Sequence, residues 1–231
     1  MQIAIVSKTS QIPDDVIAFA AKACDAQVQE CAAAWGVAPT PVAFYAREAD
    51  LPTSQVRIMA IVDDIDAPGA LGYHDDALGV IYGRVLAQSP SDTAITLSHE
   101  CLEELIDPTC DRWMPMPDGR SVALEACDPV EADSYAVSVE ILGEQRDVFL
   151  SNYILPKWFE PAERGGFDRM GILGRPFSMS DGGYMIVRDR AGNESNVFAR
   201  PRLRLSGATS NLRAAAKLTN SETRLARRLR G

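Results

Sequence analysis

The stretch from Ser89 to Pro108 constrains this chain more than any other. Ser89 or Ser91 can accept a hydrogen bond from the free N–H groups of a first helical turn, Pro90 suits that turn, and Pro108 cannot continue a helix. A helix is therefore expected between them. At about 100° per residue, Ala94, Ile95, Leu97, Cys101, Leu102, Leu105 and Ile106 cover one broad apolar arc. His99 falls at the edge of that arc, with Glu103 one turn beyond it and Asp107 one turn beyond Glu103. Glu100 and Glu104 lie further round.

The rest of the chain reads as α+β. Residues 2–7 predict a strand. Pro13 opens a helix with Asp14 and Asp15 in its first turn, its apolar residues recur at helical spacing to Trp35, and Gly36 ends it. Residues 42–46 and 55–62 predict strands, 63–76 a loop rich in Gly, Pro and Asp, and 78–86 another strand. Residues 121–126 read as strand. Two hairpins follow, one turning around Gly143-Glu144-Gln145 and one near Ala191-Gly192-Asn193, with a packed irregular segment, ILPKWFEP, between them.

Composition narrows the function classes. At 231 residues and 46% hydrophobic content the chain can bury a substantial core. A net charge of −9 disfavours nucleic acid or an acidic membrane as the partner of the whole chain. No apolar run reaches the roughly 20 residues that span a bilayer. The five cysteines (Cys24, Cys31, Cys101, Cys110, Cys127) are odd in number and form no C-x-x-C pair, which points to free thiols. With no secretion signal in MQIAIVSKTS, a cytoplasmic location is expected, with a virion as the alternative. Charge breaks sharply near the end. Residues 209–231 hold six basic residues against Glu222, a net of +5, which leaves −14 for residues 1–208. The expectation is an α+β domain over 1–208 and a basic helical tail over 209–231. The tail would be a solvated helix, a strap on the chain's own acidic body, or an arm docking on a second copy, an assembly partner or nucleic acid.

The sharpest chemical signal is SHECLEELIDP at 98–108. A helix that presents a His and a second ligand at i and i+4 offers both to one ion, and a Glu at i+1 is placed to activate water there. His99 and Glu103 occupy the ligand positions and Glu100 the base position. The motif is H-E-x-x-E, with a Glu where a second His is usual, and the added carboxylate moves the preference toward harder cations such as calcium. About 25 residues on, LEACDPVEADSY adds Glu125 and Asp128 as further candidate ligands, whereas Glu131 and Asp133 read as solvated loop acids. His74 reads as an exposed loop histidine, or else as a further ligand or substrate contact. Cys101 reads as core. Cys110 and Cys127 would, with His99, make an alternative zinc set.

The order GYHDD (72–76), strand, SHECLEELIDP, MPDGR (116–120), LEACDPVEADSY, LSNYILPKWFEP (150–161) and GGYMIV (182–187) resembles a group of bacterial and phage proteins. Around the His-Glu helix these are similar to zincin metallopeptidases. The resemblance covers roughly residues 55–190. It implies a zincin-like mixed sheet whose edge strand, 78–86, runs above the helix, with a substrate cleft between strand and helix. It also implies an analogy between GGYMIV and the methionine turn of metzincins, with Met185 in that role. The third histidine ligand of that group is missing, because no His follows His99.

Two functions of different class follow. One is a metal-dependent hydrolase of peptides or proteins. Zinc, preferred over calcium, would be held by His99, Glu103 and one or both of Glu125 and Asp128, with Glu100 as the proton acceptor. The other is a non-catalytic virion structural or assembly protein that keeps the scaffold, the acidic cluster holding a structural cation or none. A plain binding domain without metal is a third.

Overall fold

The computed structural model describes residues 1–52, 56–67, 69–77 and 80–199. The predicted basic tail lies outside them. The chain divides into two compact units interleaved along the sequence: Met1–Ile65, Gly72–Cys110 and Ser134–Ser151 form the first, and Asp66–Leu71, Asp111–Asp133 and the chain from Asn152 onward form the second.

The first unit is built on a five-stranded sheet. Strands β1 (Gln2–Lys8), β2 (Val42–Tyr45), β3 (Val56–Val62), β4 (Gly72–Ala77) and β5 (Val80–Leu86) lie in the order β2-β1-β3-β5-β4. Neighbours among β2, β1, β3 and β5 are parallel, and β4 alone runs antiparallel, paired to β5 at the edge. Ile3, Ala4, Ile5 and Val6 are all buried, as in a parallel strand covered on both faces.

Two helices pack on this sheet. α1 (Asp14–Trp35) ends as expected at Gly36, whose φ of 64° lets it close the helix while Val37 N–H returns to the carbonyl of Ala32. α2 (Pro90–Ile106) starts from Ser89, whose hydroxyl accepts from the N–H of Asp92 at 3.1 Å. A hairpin of β8 (Ser134–Ile141) and β9 (Glu144–Ser151) covers the helices. Its last residue is pinned from both sides, since Ser151 donates its N–H to Ser98 Oγ (2.8 Å) and accepts from Gln27 Nε2 (2.7 Å). At the other end, Arg146 lies over the Phe19 ring and donates to Asp15.

The second unit carries an antiparallel sheet of β6 (Trp113–Pro115), β7 (Ser121–Ala123), β10 (Tyr184–Arg188) and β11 (Glu194–Phe198), in the order β11-β10-β7-β6. Ala123, Tyr184 and Ile186 form its inner cluster, with Trp113 against them and Arg188 stacked on the Trp113 ring. Beside the sheet, the Asp168 carboxylate accepts from Asn152 Nδ2 and from the N–H groups of Met170, Ile172 and Leu173, which closes the loop after it.

Two expectations are corrected. Residues 72–76, read as loop, belong to strand β4. The edge of the sheet is therefore β4, and β5, expected there as 78–86, lies inside between β3 and β4. Pairing decides this. GYHDD has weak strand propensity by itself and becomes a strand by hydrogen-bonding along β5. The remaining structure is mixed α and β, as expected.

Candidate functional site

Strand β4 and helix α2 build the site in the first unit. Side chains alternate along a strand, which sends Gly72 and His74 to the same face. That face meets α2. A methyl at Gly72 would fall 2.7 Å from Thr96 Cγ2 and 2.8 Å from Glu100 Oε1, so the missing side chain is what lets the strand approach the helix. On α2, Thr96, Glu100, Glu103 and Asp107 follow one another at three or four residues, along one side of the helix.

His74 is buried between these elements. Its Nε2 lies 3.1 Å from the main-chain oxygen of Asp107 and its Nδ1 3.4 Å from Glu100 Oε2. Burial works against a charge on the ring. Cys110 and the Glu100 carboxylate, both hydrogen-bonding to it, outweigh that and raise its pKa well above the ordinary histidine value. Cys110 also donates through Sγ to the His74 carbonyl (3.5 Å).

His99 sits on the same helix. Its Nε2 is 3.0 Å from Glu103 Oε1, one turn on, and both side chains are buried. Glu103 is thus shared, because one of its oxygens also lies within 4.8 Å of donor atoms of His74 and Glu100. Imidazole nitrogen and carboxylate oxygen are the donor types zinc takes, so these buried groups could hold a metal ion.

Sequence reasoning missed Glu104 and its partner. Glu104, outside the apolar arc of the helix, is wholly buried, and every residue of α2 from Thr93 to Ile106 is buried with it. Among the described residues neither of its carboxylate oxygens has a hydrogen-bond partner, and Arg57 of β3 reaches one at 3.8 Å. Burial, with Glu100 nearby, pushes the Glu104 pKa up to about 7 against the pull of His74 and Arg57. No local periodicity marks this residue. His74 likewise carries no local mark of its burial, because GYHDD becomes a strand only by pairing with β5.

The structure brings His74, His99, Glu100 and Glu103 together, with the Asp107 main chain as a holder of His74. The reading of His74 as an exposed loop residue is corrected: it is 6% exposed and lies in a strand. Glu125, Asp128 and Met185 belong to the second unit. There Glu125 and Asp128 are both buried, Asp128 at the start of a 3-10 turn (Asp128–Val130), and Met185 is buried in β10, paired with Val197. Glu131, expected to be solvated, is 5% exposed, held just past that turn. All five cysteines are free thiols, and Cys101 is core. Among the described residues no helix is long and apolar enough to cross a membrane.

No protein family, curated protein or solved structure matches this chain.

Proposed function

We propose that this protein is a zincin-like metal-dependent hydrolase acting on peptide bonds. The observation that carries the proposal is the His99–Glu103 pair. Two donors of the types zinc takes stand 3.0 Å apart on one buried turn of helix, with Glu100 beside them against an antiparallel edge strand. An edge strand next to the His-Glu helix is what the zincin resemblance implies, although it is β4 that takes the place. The proposal rests on residues of the first unit alone.

A divalent cation held by His99 and Glu103 would acidify water and polarise a scissile carbonyl. Glu100 would be the group that accepts a proton from water there and returns it to the leaving amine. Its neighbours suit the task. His74 lies against the Glu100 carboxylate, Gly72 leaves it room beside the strand, and the buried setting keeps bulk water from competing for it.

The test is zinc content and peptide cleavage of the full chain. One zinc should be retained on dialysis by the parent and lost in His99→Ala and Glu103→Gln, and a mixed peptide library should be cut only by zinc-loaded parent. A protein that retains calcium or no metal, and cuts nothing, would instead support a non-catalytic virion assembly role.

A further inference from the structure

The hydrolase reading gives His74 only a supporting part, yet the ring has the geometry of a ligand. Its Nε2 faces the main-chain oxygen of Asp107, and a carbonyl only accepts, so Nε2 carries a proton. That leaves Nδ1 as the ring atom that can exchange its proton for a cation, on the side where Glu100 Oε2 stands at 3.4 Å. The separation is long for a charge-assisted hydrogen bond, usually about 2.7–2.9 Å. It matches the roughly 3.4 Å between neighbouring donors around a tetrahedral zinc with bonds of about 2.1 Å. Glu103 supplies a third donor, and the donor atoms of all three residues lie within 4.8 Å of one another. An imidazole whose remote N–H is held by a carbonyl is also the usual outer-shell arrangement of a metal-bound histidine.

We propose that His74, Glu100 and Glu103 form a second cation site, for zinc, beside the His99–Glu103 pair, and that filling it switches hydrolysis off. The switching rests on the hydrolase reading above; the site does not. Glu103 has two oxygens and can serve two ions. Glu100 serves the two roles poorly together, since a cation bound to a carboxylate lowers its proton affinity and makes it a weaker base. Because the two ions share a ligand and repel each other, whichever enters second binds more weakly, and the switching role requires that the first enter at His99.

The chain has two histidines, one for each site. Histidine-selective ¹⁵N labelling therefore reads both sites in the parent protein, with no variant required to fold. Zinc alone, titrated into metal-free full-length protein, should move the His99 ring with the first equivalent and the His74 ring with the second. Peptide cleavage should rise with the first equivalent and fall at least tenfold with the second. By equilibrium dialysis, His74→Gln, which keeps a donor toward the Asp107 carbonyl, should bind one zinc where the parent binds two. A His74 ring unmoved in excess zinc, or two zinc ions still bound by folded His74→Gln, would overturn the proposal. A response from His74 with none from His99 would establish the His74 site while sinking the hydrolase reading and the switching role with it.

Discussion

Arg57 donates to the main-chain oxygen of Glu104 at 3.0 Å, while its guanidinium stands 3.8 Å from the Glu104 carboxylate. The cation is thus engaged by the helix backbone and only loosely by the acid beside it. A buried carboxylate so weakly compensated favours its neutral form.

Stability should depend on pH through Glu104. Its folded pKa, about 7, lies above the ordinary glutamate value, so the folded state keeps a proton that the unfolded chain gives up. The associated stability is present below the unfolded value and is lost as pH rises toward 7. The effect is at most on the order of 3 kcal/mol. Glu104→Gln, neutral at every pH, should flatten the fall in melting temperature between pH 4.5 and 7.5 in metal-free protein. It should also melt above the parent at pH 8. An unchanged pH profile in the variant would show that another group carries the dependence.

Gly72→Ala should cost roughly 1–3 kcal/mol, because the new methyl meets Thr96 and Glu100 inside van der Waals distance. Pushing Glu100 away should also weaken zinc binding. Gly174→Ala, where the added methyl meets nothing within 4 Å, is the control and should change stability by about 0.5 kcal/mol or less. Thermal melts and zinc titrations of the two variants compare directly.

Glu100→Gln should retain the zinc held by His99 and Glu103 and lose turnover by about 10²–10⁴-fold, the usual contribution of a proton-transfer group. Zinc stoichiometry and peptide cleavage measured on the same preparation check both halves. Parental activity in the variant would remove Glu100 from the mechanism.

In the second unit, Asp168→Ala should lower stability by on the order of 3 kcal/mol. It removes the Asp168 acceptor from Asn152 Nδ2 and from the N–H groups of Ile172 and Leu173, and leaves the Met170 N–H only its bond to Asn152 Oδ1. A urea midpoint equal to that of the parent would mean that the loop closes without the carboxylate.

Both helices were legible because their signals are local. Ser89 and Pro90 start α2 and Pro108 stops it; Pro13 and Gly36 bracket α1. Each acts within a turn or so of itself, through capping or a blocked N–H. The i, i+4 relation of His99 and Glu103 was legible for the same reason. Helix geometry sets it, and tertiary packing only had to bury it.

Tertiary structure decided what lies far apart in the chain. His74 meets Asp107 across 33 residues, and Gln27 meets Ser151 across 124. Such pairs depend on which strands hydrogen-bond and in what order. Strand β4 exists by pairing with β5, and that pairing turned a loop histidine into a buried neighbour of Glu100. Glu104 makes the same point for α2. Periodicity put it outside the apolar arc, but packing by α1, β4, β5 and β9 buried that side of the helix as well. Sequence alone thus determined where the helices run and which acids share a turn. Only the assembled strands and helices decided which of those acids lost contact with water and what each then faced, because burial is a sum over segments that meet only after folding.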